Sequence, residues 1–187
     1  MGQAIAQKKR KKSYSLSRAK FLTADEYKSL IELLWRNITS PDHYRDCILL
    51  LVAVHTGARA TEILNLSVGD FDFVAKSLYI CGIKGSKDRE IPLPLAVANH
   101  LQAILTDRMS TEKIFPISYK RFYQIWLKYR PANKNLHCLR HTFAVRVFTK
   151  TKDMRLLQIA LGHKSILNTA IYTDFVYSQG EMKKLVE

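Results

Sequence analysis

The chain has 187 residues, with 30 Lys and Arg against 16 Asp and Glu, for a formal net charge of +14. That length fits one compact domain whose core needs no staples, and 47% hydrophobic residues with 10% aromatics exclude a wholly disordered chain. The longest strongly apolar run, Cys47 to Val54, is too short to cross a bilayer, and no apolar stretch follows the basic N-terminus as a signal peptide would require. Three scattered cysteines form neither a disulfide framework nor a Cys-x-x-Cys metal site. A reduced, cytoplasmic protein without a membrane partner is the expectation.

Residues 1–20 carry Lys8, Lys9, Arg10, Lys11, Lys12, Arg18 and Lys20 and no acid. The remaining residues hold the other 23 Lys and Arg (30 less these seven) against 16 acids, so the body is as basic in excess as the arm. A basic arm on a basic body favours a polyanion, above all nucleic acid. The reading is therefore a flexible arm over 1–20 and one domain over 21–187.

In chain order, Thr23-Ala24-Asp25-Glu26 is a capping box, followed by Tyr27, Leu30, Ile31 and Leu34 at helical spacing. Ser40-Pro41 caps and starts a second helix that runs to Thr56-Gly57, and Arg59 to Leu66 reads as a short third one. The period then changes. Residues 70–73 alternate, Ser77 to Cys81 is strand-compatible, and Arg89 to Leu93 is a third strand, with Lys84-Gly85-Ser86-Lys87 at the hairpin tip. Helical patterns return over Leu95–Leu105, Ser118–Tyr129, Leu136–Lys150 and Asp153–Leu161, the last closed by Gly162. A short helix from Ser165 reaches Tyr172, and another spans Ser178 to Leu185. The fold class is α+β, predominantly helical, with a small three-stranded antiparallel sheet in the N-terminal half.

Four clusters can carry chemistry. Thr56-Gly57-Ala58-Arg59-Ala60-Thr61-Glu62 sets a forked cationic donor at a helix start, a place suited to phosphate. The tip with Lys84 and Lys87 can reach a bound phosphate chain. In His137-Cys138-Leu139-Arg140-His141, positions 137, 140, 141 and 144 share a helical face. His137 and His141 have the four-residue spacing of metal ligands, but no further Cys, Asp or Glu completes a set, so no metal is assigned. The last cluster is Leu161-Gly162-His163-Lys164 followed by Ile171-Tyr172-Thr173.

Taken in order, Arg59, Lys84, His137 with Arg140, His163 and Tyr172 resemble the tyrosine recombinase (phage integrase) family. The resemblance rests on T-G-A-R-A-T-E-I-L-N-L, I-K-G-S-K-D-R-E-I-P-L, H-C-L-R-H-T-F-A and L-G-H-K-S-I-L-N-T-A-I-Y-T, and spans roughly residues 21–175. It implies a multihelical DNA breaking-rejoining catalytic domain acting as a site-specific DNA recombinase on double-stranded DNA. Tyr172 would attack a phosphodiester and leave a 3′-phosphotyrosine with a free 5′-hydroxyl, and the reverse attack would reseal the strand without ATP. A phenol has a pKa near 10, so only about a thousandth is ionised at pH 7 and a base or cations must assist. By resemblance, His137 handles the tyrosine proton, Arg59, Arg140 and His163 grip the non-bridging oxygens, and Lys84 protonates the leaving oxygen, with Lys87 its competitor. Glu62 orients the first arginine, and His141 is read as structural. Lys8, Lys9, Arg10, Lys11, Lys12 and Lys87 are the expected DNA contacts. Arginines would neutralise the charge that Mg²⁺ handles in other nucleases, so no cofactor is expected.

The resemblance further implies a homotetramer on DNA, a monomer or weak oligomer when free, and a DNA-bending accessory protein as an optional partner. The tail 175–187 would dock either on its own domain or on a neighbouring protomer. Larger members place a separate helical DNA-clamping (core-binding) domain ahead of this one, which the 20-residue arm does not supply. Lys150-Thr151-Lys152-Asp153 stands where the family usually has a glycine. Rival readings are a type IB topoisomerase-like or telomere-resolving enzyme, and a non-catalytic DNA-binding relic or accessory regulator.

Overall fold

The computed structural model describes residues 16–83 and 85–173. Lys84, the arm residues Lys8, Lys9, Arg10, Lys11 and Lys12, the tail 175–187 and the helix expected over Ser178 to Leu185 lie outside the described residues. Two features order the rest: one helix apolar all round, and a hairpin that leans back onto the C-terminal helices.

Helix α1 (Ala24–Asn37) starts at the expected capping box: Thr23 Oγ1 accepts from the Glu26 amide (3.2 Å) and Glu26 Oε2 accepts from the Thr23 amide (2.8 Å). It buries Leu30 and Leu34, four residues apart on one face. Helix α2 (Pro41–Thr56) begins with proline in its first turn, but the Ser40 side chain makes no capping bond. The expected cap is thus supplied by proline's fixed φ alone. From Cys47 to Val54 every residue of α2 is buried, the signature of a central helix covered on all sides, and α1, α4 (Leu95–Leu105) and α6 (Cys138–Thr151) pack around it. Gly57 ends α2 with φ +60°, a left-handed turn that glycine adopts without strain; a Cβ there would lie 2.3 Å from Phe143 Cδ1.

The third helix, α3 (Ala60–Asn65), is a residue shorter at each end than expected, with Arg59 at its N-cap. Strands β1 (Phe71–Asp72), β2 (Ser77–Ile80) and β3 (Arg89–Pro92) form an antiparallel sheet in the order β1-β2-β3, with Leu78 opposite Ile91 and Ile80 opposite Arg89. Pro92 is tolerated because β3 is an edge strand. The alternation expected over 70–73 contributes only two strand residues, because Val68–Asp70 forms a 3-10 turn held by Asp70 Oδ2 on the Ser67 amide.

Helix α5 (Tyr119–Tyr129) turns Phe122, Ile125, Trp126 and Tyr129 into the core, and the Trp126 indole N–H donates to Lys134 O at 2.8 Å. His137 is the N-cap of α6 rather than an interior residue, yet its φ −64° and ψ −16° keep it on the helical face with Arg140 and His141. Lys152, within the Lys150-Thr151-Lys152-Asp153 turn, closes α6 with φ +55°. Asp153 then caps α7 (Met154–Leu161), accepting from the Arg155 and Leu156 amides, and Gly162 ends it at φ +67°. The helix expected from Ser165 is the single turn α8 (Leu167–Ala170). A second, smaller core gathers Leu16, Ala144, Phe148, Leu157, Leu161 and Tyr172 beneath α6 and α7.

Candidate active site

The C-terminal ends of α2 and α7, the start of α3 and the first turn of α6 meet at one cleft of about 430 Å³. Arg59, His137, Arg140, His141, His163 and Tyr172 line it, and Leu167, Asn168 and Ile171 close its α8 side. Five of the six positions expected to do chemistry therefore share one wall-to-wall space, and the sixth, Lys84, lies outside the described residues.

Each arginine has at least one hydrogen-bond partner distant in sequence. Arg140 is 3% exposed; its Nη1 donates to Gly57 O (2.7 Å) and its Nη2 to Leu161 O (2.8 Å). These are carbonyls at the C-terminal ends of two helices, where the backbone dipoles leave partial negative charge. Burial lowers the Arg140 pKa to about 10, with Arg59 and Arg89 pushing the same way, which still leaves a full positive charge at neutral pH. Arg59 Nη1 donates to Glu62 Oε1 (3.0 Å) and to Ser86 Oγ (2.7 Å). Glu62 Oε2 accepts from the Arg59 amide (2.8 Å), so one carboxylate starts α3 and orients the side chain of its cap. Burial pushes the Glu62 carboxyl up, but the hydrogen bond and charge of Arg89, helped by the Arg59 amide and by Arg140, outweigh it and hold the group below the usual range.

His163 follows Gly162 and pairs as a lone β-bridge with Ser86 of the hairpin. The Lys87 amide donates to Gly162 O (2.7 Å) and Ser86 Oγ donates to the same carbonyl (3.1 Å). The His163 ring is fixed by Nδ1 against Thr169 Oγ1 at 3.0 Å. The hairpin tip therefore docks on the turn that carries His163.

Tyr172 is 2% exposed, its ring in the smaller core and its hydroxyl 2.9 Å from His141 Nδ1. The imidazole next to the phenol is thus His141, not His137. His137 sits one turn back, edge-on to His141 with ring centroids 4.7 Å apart. Among the described residues no three His, Cys, Asp or Glu side chains gather as a metal site would need. Ser86 and Arg89 also belong to this constellation, though neither is singled out in the sequence. The available signal for Arg89 is a charge at an inward phase of β3, where Arg89 and Ile91 are buried and Glu90 and Pro92 are not.

The site imidazoles are neutral at physiological pH. Burial, then His137 and Arg140, pushes His141 down to about 3; burial, then Arg140 and Arg59, pushes His163 down to about 4; the same causes lower His137. Unfolded histidines titrate near about 6.5. Between that value and about 4 the unfolded state therefore binds more protons than the folded one, so stability rises with pH across the window and is lost on acidification. His141 contributes up to about 1.4 kcal/mol per pH unit, and the half-buried His163 less because solvent screens it. The urea midpoint should fall between about pH 7 and pH 5; a midpoint unchanged over that range would contradict neutral buried imidazoles.

Residues 20–179 match the phage integrase family. The chain belongs to that family. Its relatives include the tyrosine recombinase XerA of Pyrococcus furiosus, 33% identical over 167 residues covering 82% of this chain and 57% of the relative. The tyrosine recombinase XerD of Staphylococcus epidermidis is 31% identical over 176 residues, covering 84% and 59%. This phage integrase family chain thus spans a little over half the length of the curated relatives it matches. Among solved structures, the XerH site-specific recombinase bound to a palindromic difH substrate superposes with a TM-score of 0.72 at 26% identity, covering 90% of this chain and 53% of that one. The catalytic domain of bacteriophage HP1 integrase gives 0.63 at 23% identity, covering 88% and 93%, a likeness of fold. The mostly helical domain with its three-stranded sheet is thereby that of a tyrosine recombinase catalytic domain.

Proposed function

We propose that this chain is the catalytic part of a site-specific DNA recombinase that cuts and rejoins double-stranded DNA through a tyrosine ester. The observation that carries this reading is the single cleft in which two arginines and a histidine converge beside the Tyr172 hydroxyl. A phosphodiester in that cleft meets Arg59 and Arg140 as fixed cationic donors and His163 as a third. Donors held by other hydrogen bonds before the reaction need no reorganisation as negative charge builds on the five-coordinate phosphorus. The Tyr172 oxygen attacks phosphorus, its proton passes to the imidazoles beside it, and the 5′-oxygen leaves with a proton from Lys84, or Lys87 as the rival donor. Attack by a 5′-hydroxyl on the phosphotyrosine reverses each of these steps, so the bond energy is conserved.

The arm residues Lys8, Lys9, Arg10, Lys11 and Lys12 belong to this reading as phosphate contacts, with the domain over 21–187 doing the chemistry. Four such domains assembled on DNA complete it. Binding through phosphates makes the affinity steeply salt-dependent.

The test is a nicked suicide duplex, on which cleavage releases a short strand and traps the protein. Wild type should give a covalent protein–DNA band on a denaturing gel, and Tyr172→Phe should give none while retaining salt-sensitive DNA binding. A band of equal intensity from Tyr172→Phe would remove Tyr172 as nucleophile; salt-sensitive binding with no band from either protein would favour the non-catalytic relic.

A further inference from the structure

Glu62 is an anion ringed by guanidinium groups. Its side chain is fully buried, Oε1 is taken by Arg59, and Oε2 takes the Arg59 amide and Arg89 Nη2 at 2.7 Å. Arg140 Nη1 stands 4.0 Å from the same Oε2. Three guanidinium groups thus surround one carboxylate, and they are not equivalent. The Arg59 side chain is 32% exposed and lines the cleft, as does Arg140, whereas the Arg89 side chain is 1% exposed and lies behind it. Arg89 comes from β3, across the hairpin from the cleft wall. It packs so closely on the His163 turn that a Cβ at Gly162 would lie 3.2 Å from Arg89 Nη1. Its Nε and Nη1 find no acceptor among the described residues, so its one strong bond is the one to Glu62.

Burying an arginine with two donors unmatched is costly, and a fold needing only a partner for Glu62 already has Arg59 and Arg140 at hand. What Arg89 adds is directional. We propose that Arg89 is a positioning residue for strand transfer: by holding Glu62 Oε2 from behind, it keeps that oxygen from drawing Arg140 off its two carbonyls and Arg59 off the cleft. The arginines that face a bound phosphate then keep both their charge and their aim. Because Arg89 belongs to the hairpin, this contact also ties the strand that follows Lys84 to the phosphate-binding arginines.

The inference rests on the strand-transfer reading, and the two are tested apart. On the suicide duplex, Arg89→Met should slow covalent complex formation by about ten- to a hundred-fold, the usual range for a group that acts through another. Arg89→Lys, which restores the charge, should recover to within about three-fold. The deciding comparison uses a methylphosphonate at the scissile linkage, which removes the charge that Arg59 and Arg140 serve. On that neutral linkage Arg89→Met should run within about three-fold of wild type. Equal fractional losses on both linkages, with a lowered melting temperature, would make Arg89 a purely structural residue and overturn the proposal.

If Arg89→Met fails to fold, Glu62→Gln/Arg89→Met removes both buried charges together and is compared with Glu62→Gln. The proposal requires loss of Arg89 to cost little once Glu62 is neutral, and a loss of about ten-fold or more there would overturn it. If wild type forms no covalent complex on any duplex, the strand-transfer reading falls by itself. Orthovanadate affinity, read by vanadium NMR, then decides for Arg89: weakening in Arg89→Met but not in Arg89→Lys supports it, and equal affinities overturn it.

Discussion

Arg140→Ala is expected to abolish the covalent DNA complex, by about a thousand-fold or more, and to destabilise the fold by about 3–5 kcal/mol. The two losses have separate origins. The catalytic loss follows from removing a fixed cation at the phosphate. The stability loss follows because the carbonyls of Gly57 and Leu161 lose their donor inside the protein and Glu62 loses part of its counter-charge. Arg140→Lys separates them. An ammonium keeps the charge but cannot fork to both carbonyls, so it should recover part of the stability and little of the rate. Urea unfolding beside the suicide-duplex assay checks both; an Arg140→Ala protein as stable as wild type would mean that the two carbonyls find other donors.

Gly162→Ala is the second large effect, and it acts on the hairpin. Gly162 has φ +67°, and a Cβ there would meet Lys87 O at 2.5 Å, Ser86 Oγ at 3.1 Å and Arg89 Nη1 at 3.2 Å. The nearest of these is backbone, so the tip itself must retreat. Left-handed strain and overpacking together should cost about 2–5 kcal/mol. The retreat breaks the Ser86–His163 bridge and the Lys87–Gly162 bond, so strand transfer should fall even in molecules that remain folded. Gly85→Ala is the matched control. Gly85 has φ +85°, but a Cβ there meets nothing within 4 Å, so only the backbone strain of about 1 kcal/mol applies. Melting temperatures that drop equally in both variants would contradict the tip docking.

Much of this was legible along the chain because local rules generate it. The Thr23 capping box, the closing glycines at 57 and 162 and the four-residue apolar rhythm of α1 and α5 are short-range signals, and the helices follow them. The convergence of Arg59, Arg140, His163 and Tyr172 was expected from the order of four motifs rather than from any local rule. Other details depend on tertiary contact. His141 and His137 lie one turn apart on one face, and only the packing of Tyr172 into the smaller core beside α6 decides which of them meets its hydroxyl. Arg89 reads as a surface charge on an edge strand until its inward phase in β3 is set by register with β2. Ser86, part of a flexible-looking tip in sequence, bridges Arg59 and Gly162 across 27 and 76 residues.

Those separations bear on when the strand-transfer chemistry proposed for this cleft is available. Hydrogen bonds that help to aim Arg140, Arg59 and Tyr172 close loops of 21 to 83 residues. Long-range closures form late and are lost early, because their entropy is repaid only when the surrounding core is complete. A nascent, heat-damaged or partly degraded chain therefore loses the aim of its arginines along with the packing around its tyrosine. On the proposed reading, cutting competence would be confined to intact molecules, which are also the ones that would reseal what they cut.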